Sequence, residues 1–258
     1  MRFYYIALKE IKSFIKNPYI IPPLLIVHFL QFVISINVFN NFVGESTITK
    51  NTFATIEIIN KNNNTNIVIF YGAFILTQLL ALSSIIVAAY ITSEWENKTY
   101  DRILVSPLSI FQINIGIFSG YITLMIIISA LFMFLISVLY GFDWGGAYFN
   151  IFIITVSLSF VCVTFAMLIS NIFKQTKIVA SIATFTVVAF IFLSGGLFAG
   201  AVFNKISRYT LIRWAFDAYI SVIEGKPLGS VSINLINILL TGIIFMAIYI
   251  MITRKGDR

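Results

Sequence analysis

The chain has 258 residues, of which 59% are hydrophobic and only 10% charged, with a mean hydropathy of +0.97 and a formal net charge of +7. A soluble domain carries about a quarter charged residues, so a water-solvated globule is excluded, and apolar runs that are continuous rather than alternating exclude a β-barrel. What remains is an all-α membrane protein, because helices satisfy their own backbone groups within a bilayer.

The first predicted element, residues 2–16, is amphipathic. Tyr4, Ala7, Leu8, Ile11, Phe14 and Ile15 recur at helical spacing, with Arg2, Lys9, Lys12 and Lys16 on the other side. Such a helix suits the headgroup region and contact with membrane lipids. Asn17-Pro18 ends it, since proline disfavours helix at the preceding residue. Its spread charges, with no small-residue cleavage site after them, do not read as a removable signal peptide.

Six spans follow, at residues 19–42, 67–92, 110–140, 147–173, 178–203 and 231–253. The third is longer than a bilayer needs, so part of it is expected to belong to the charged block before it. A polar, asparagine-rich loop joins the first two spans, and "GFDWGG" and "KQTK" read as turns. Residues 204–230 read as an amphipathic helix at the membrane interface, closed by Gly225-Lys226-Pro227, with Arg213 and Asp217 spaced to pair. The division expected is one membrane domain, 1–258, with an interfacial helix at 1–17, a block at 93–109 and an external amphipathic, re-entrant region at 200–229.

Orientation follows from lysine and arginine in the flanks. With the N-terminus inside, eleven of the seventeen basic residues face the cytoplasm, and both termini and the 93–109 block lie there. His28 and Cys162 are the only histidine and cysteine, so metal and disulfide chemistry within the chain is not expected. Cys162 reads as a small buried packing residue, and His28 as a packing or hydrogen-bonding one. No phosphate-binding G-x-x-x-x-G-K-[ST], no H-E-x-x-H and no G-x-S-x-G occurs, and no span holds a clear mid-membrane charge that could bind a driving ion. Either the chain does no work, or a partner supplies it.

The block "TSEWENKTYDRILVSPLSIFQ" gathers Glu94, Glu96, Lys98, Asp101 and Arg102 in a nearly charge-free chain. Two readings suit it. It is a docking element, its carboxylates and Arg102 pairing with a partner's charges and Ile103, Leu104 and Val105 filling a groove, with Pro107 turning the chain back. Or it is an ordinary solvated loop.

This block resembles the signature of ABC-2 type transporter permeases, Glu-x-Glu-x-Gly-Thr-x-Glu-x-Leu-Leu-x-Thr-Pro. Glu94, Glu96, Thr99, Leu104 and Pro107 match; Asp101, Ile103 and Ser106 are close substitutes, and Lys98 stands where the family has glycine. "LSGGLFAG" is similar to the family's Ser-Gly-x-x-Phe-Pro turn, with Ala199 for proline, and "TLIRWAFDAY" to its external stretch, with Thr210 for proline. Within the family the chain resembles bacterial peptide and toxin exporter permeases such as the phenol-soluble-modulin exporter. The resemblance implies a coupling helix at 93–109, with Glu94, Glu96, Thr99, Asp101, Arg102, Leu104 and Pro107 engaging a separate cytoplasmic ATPase. It implies two ATPase copies that bind the ATP and Mg, a second permease copy or relative, and no nucleic acid. The chain itself is expected to hold no cofactor and to be no enzyme.

The expected function is export of an amphipathic substrate, a peptide or toxin, across a bacterial plasma membrane. The alternatives are drug, lipid or ion extrusion, or a non-transporting immunity or sensor subunit. Thr77, Gln78, Ser83 and Ser84 on the second span, with Ser181, Thr184 and Thr186 on the fifth, are candidates for an uncharged polar path. The competing role for these groups is bonding to their own helices or gluing helices together.

Overall fold

A computed structural model describes residues 3–17, 20–45, 64–100, 105, 108–195 and 206–256. Their helices, in chain order, are α1 (Phe3–Ile15), α2 (Ile21–Glu45), α3 (Asn64–Glu96), α4 (Ile110–Tyr140), α5 (Tyr148–Phe173), α6 (Thr176–Leu193), α7 (Leu211–Ile223) and α8 (Ser232–Gly256). No strand occurs among the described residues. Among the described residues, six helices are long and apolar enough to cross a membrane: α2, α3, α4, α5, α6 and α8.

α3 and α5 form the centre and are mostly buried, whereas most of the length of α2, α6 and α8 is not fully buried. α3 packs against α2, α4, α5, α6 and α7, and α8 lies along α5. Small buried side chains on both helices suit this closeness: Ala73, Ala81, Ser83, Ser84 and Ala88 on α3, and Ser159, Ala166 and Ser170 on α5. Apolar side chains gain little by leaving hydrocarbon for one another, so close contact and shared hydrogen bonds hold such helices together. Ser170 Oγ supplies one, donating across to the Ala88 carbonyl at 2.9 Å.

The long third span is a single helix that begins at Ile110, where the charged block ends. Ser109 caps α4 by accepting from the Gln112 amide at 3.3 Å, and the Gln112 side chain accepts from the Ser109 amide at 3.2 Å. This reciprocal cap stops the helix going further back. The polar block instead feeds the helix before it, because α3 runs on through Thr92 to Glu96. The fifth span ends sooner than expected, at Leu193, where Gly195 takes a left-handed conformation; residues 196–205 lie outside the described residues. So does the loop at 46–63.

The helix before the last span is amphipathic, but its apolar side is buried in protein. Ile212, Ala215, Phe216, Tyr219, Val222 and Ile223 are buried, and α7 packs on α3, α5 and α8. Tyr219 shares a hydrogen bond of 2.9 Å with Thr155 of α5. Thr210 caps it through the Arg213 amide at 3.4 Å, and Arg213 pairs with Asp217 at 2.8 Å as the spacing implied. Burial holds the Asp217 carboxyl above its ordinary range despite the neighbouring guanidinium.

At the same end the α4–α5 turn plugs in. Trp144 is fully buried, and its Nε1 donates to Ser137 Oγ at 2.9 Å. Gly145 has φ +67°, and a Cβ there would lie 2.3 Å from the Ile223 carbonyl oxygen at the close of α7. Gly145→Ala is therefore expected to cost about 2–4 kcal/mol, combining left-handed strain with overpacking. A thermal-unfolding midpoint equal to wild type in detergent would contradict that approach.

Candidate coupling site at one end of the bundle

The end opposite the α4–α5 turn gathers the charges. α1 lies across α4 with Ile6, Ala7, Glu10 and Phe14 buried. Gly120 makes room for it, since a Cβ there would stand 3.1 Å from the Ala7 carbonyl oxygen. The apolar stripe read from the sequence therefore divides. Ala7 and Phe14 face protein, while Tyr4, Leu8 and Ile15 stay exposed beside Lys12 and Lys16.

Glu10 is wholly buried on that inner face. Its two oxygens are taken by Tyr121 of α4, whose hydroxyl donates at 2.9 Å, and by Lys9 Nζ at 2.9 Å. Lys9 also donates to Glu94, in the last turn of α3. Burial alone works against charge on Lys9, but its bond to Glu94 and the nearby Glu10 carboxylate outweigh that and raise its pKa. Ser13 and Tyr90 share a hydrogen bond of 2.6 Å, and Phe14 contacts the rings of Tyr90 and Tyr121. One helix is thus pinned to two spans.

Two residues on, Glu96 points to a different neighbour. Its carboxylate accepts from the Thr176 amide at 2.9 Å and from the Thr176 hydroxyl at 2.6 Å. Thr176 is the first residue of α6, and the cap position Gln175 makes no side-chain cap bond. Glu96 supplies the acceptor that the helix start lacks, with its negative charge at the positive end of the helix dipole. Lys174 lies 5.7 Å from the centre of the Trp95 ring, and Asn171 of α5 donates to Thr253 of α8 at 2.9 Å.

After Glu96 the chain turns. Lys98 has φ +54°, the left-handed conformation favoured after a helix end. Thr99 and Tyr100 are helical, and Tyr100 lies against Trp95 at 5.4 Å between centroids. Val105 is 88% exposed. Of the remaining block residues named from the sequence, Asp101, Arg102, Leu104 and Pro107 lie outside the described residues, as does Ala199.

The polar candidates on the spans do not share one surface. Thr77, Ser83 and Ser84 are buried, donating to the Ala73, Leu79 and Ala81 carbonyls at 2.8, 2.7 and 2.6 Å. Ser181 and Thr184 are exposed along a shallow groove with Phe185 and Phe192, and Thr186 donates to the Ile182 carbonyl at 2.8 Å. Gln78 is half-buried and accepts from Gln31 of α2 at 2.9 Å.

A sequence model for the ABC-2 family transporter protein matches residues 18–251, nearly the whole chain. The chain belongs to that family. It is a multi-pass membrane subunit of an ABC transporter, and ATP hydrolysis falls to a partner ATPase. Membership also implies association with that ATPase and, typically, pairing of permeases. A comparison with curated proteins returns no match.

Several residues of this cluster escape a reading of the ABC-2 signature alone: Lys9, Glu10, Tyr121 and Thr176 lie outside it. The signal for Glu10 was its place four residues from both Ile6 and Phe14, an acid on an apolar face. Lys98 occupies the family's glycine position in a conformation that costs an L-residue about 1–2 kcal/mol. Lys98→Gly is expected to relieve about 1 kcal/mol of this strain and slow amide exchange in residues 97–100. Faster exchange there, at unchanged fold, would mean that the lysine side chain holds the turn.

Proposed function

We propose that the chain is the permease subunit of an ABC exporter that moves an amphipathic substrate, a peptide or toxin, out across a bacterial plasma membrane. The 93–109 block engages the ATPase, whose two copies bind ATP and Mg and serve a pair of permeases. The observation that carries this reading is the convergence at one end of the bundle. There α1, the Glu94–Glu96 turn, the Lys174–Lys177 turn and the end of α8 are linked by side-chain contacts. These are the basic segments that the positive-inside rule assigns to the cytoplasm, where an ATPase and its ATP reside. The 200–229 region then faces outward, and both termini face in.

Sidedness is tested by labelling. On a Cys162→Ser background, cysteine at Lys226 should react with a membrane-impermeant maleimide on intact cells, and cysteine at Lys98 only after permeabilisation. The reverse pattern would turn the molecule over and remove the block from reach of an ATPase.

For the path, the Gln31–Gln78 pair supports the reading better than the buried hydroxyls. Those hydroxyls are already satisfied within their own helix, whereas a half-buried amide pair in a span needs either a wet surface or another partner. Gln78→Leu is expected to lower export of an amphipathic peptide with expression and ATPase recovery unchanged. The double change Gln31→Leu, Gln78→Leu leaves no orphaned amide. If the double change restores export fully, the pair serves helix packing and does not line the path.

A further inference from the structure

Glu94 and Glu96 are both committed within the chain, and to different elements. Residues two apart on a helix point about 200° apart around its axis. Glu94 reaches Lys9 of α1, and Glu96 reaches the start of α6. We propose that these two carboxylates are internal links, positioning residues that carry movement of the 93–109 block into the spans, and that neither is the contact with the ATPase. This rests on the block being the coupling element.

The geometry divides the load. Through Lys9, displacement of the α3 end is passed to α1, and from Glu10 through Tyr121 to α4. Through Glu96, the same displacement acts on α6. The first turn of α6 has no side-chain cap of its own, so it follows Glu96 or loses a bidentate charged acceptor. α6 is also the helix with the exposed Ser181 and Thr184 groove. The last turn of α3, which holds both glutamates, is thus a branch point, with the exposed Val105 of the block left free for the partner.

The test uses the permease purified with its ABC ATPase through a tag on the permease and reconstituted in nanodiscs. Two quantities are read: ATPase recovered per permease, and permease-dependent stimulation of ATP hydrolysis. Thr176→Val, Glu96→Gln, Lys9→Met and Glu94→Gln are each expected to keep recovery within about twofold and to lower stimulation about fivefold, the small end of usual coupling factors. The swap Lys9→Glu with Glu94→Lys preserves the charges around Glu10 and is expected to restore most of the stimulation, which a loss of general stability would not do. Thr176→Val leaves the buried cluster untouched, so it remains informative if Lys9→Met fails to fold. Loss of ATPase recovery in Glu94→Gln or Glu96→Gln would overturn the proposal by placing the carboxylates in the docking contact, as would wild-type stimulation in Thr176→Val and Glu96→Gln. Val105→Asp tests the underlying reading separately: it should abolish recovery, and normal recovery would mean that the block does not dock.

Discussion

A carboxylate that has left water entirely must find its partners where it lies, and Glu10 is in that position on α1. Tyr121 and Lys9 satisfy its oxygens, and Lys9 reaches on to Glu94. Removing one member would leave a buried charge uncompensated, which costs far more than the intact cluster contributes. The cluster therefore acts as a specification more than as a source of stability. It dictates which face of α1 turns inward, at what register it crosses α4, and how far the end of α3 stands from both. Gly120 allows the approach, and the Phe14, Tyr90 and Tyr121 rings close around it.

The buried hydroxyls of α3 follow the opposite rule, with their polarity satisfied locally. Thr77, Ser83, Ser84 and Thr92 all return their hydrogen bonds to carbonyls three or four residues back on α3. A hydroxyl satisfied in this way is small enough to let a neighbouring helix close in, and α5 does so. Gln78 is too long to bond back in that manner, and it pairs with Gln31 instead. Short hydroxyls therefore serve close packing at the centre of the bundle, and a longer amide serves an inter-helix bond at its margin.

Where the chain departs from the ABC-2 pattern, local chemistry fills the same place. Thr210 stands for proline and starts α7 by accepting from the Arg213 amide; proline would have done so through its fixed φ. Lys98 stands for glycine and still adopts φ +54°, because the chain must reverse immediately after α3. A signature written in residue types hides this. What the position requires is a backbone conformation, and glycine is only its least costly occupant.

Periodicity and composition were sufficient to determine the membrane class, the six spans, the amphipathic first helix and the Arg213–Asp217 pair. Each of these depends on contacts within one helix or on transfer between water and lipid, and both are written along the chain. Boundaries near the charged block were not legible in the same way. Glu94 and Glu96 read as part of a separate docking helix beyond the span, yet they continue α3, and Lys9 and Thr176 offer them donors from segments about eighty residues away in either direction. The apolar sides of α1 and α7 likewise read as lipid-facing. Only packing decided that the apolar side of α7, and the Ala7 and Phe14 part of that of α1, turn inward, since hydrophobic periodicity shows that a face is apolar and cannot distinguish a neighbouring helix from an acyl chain.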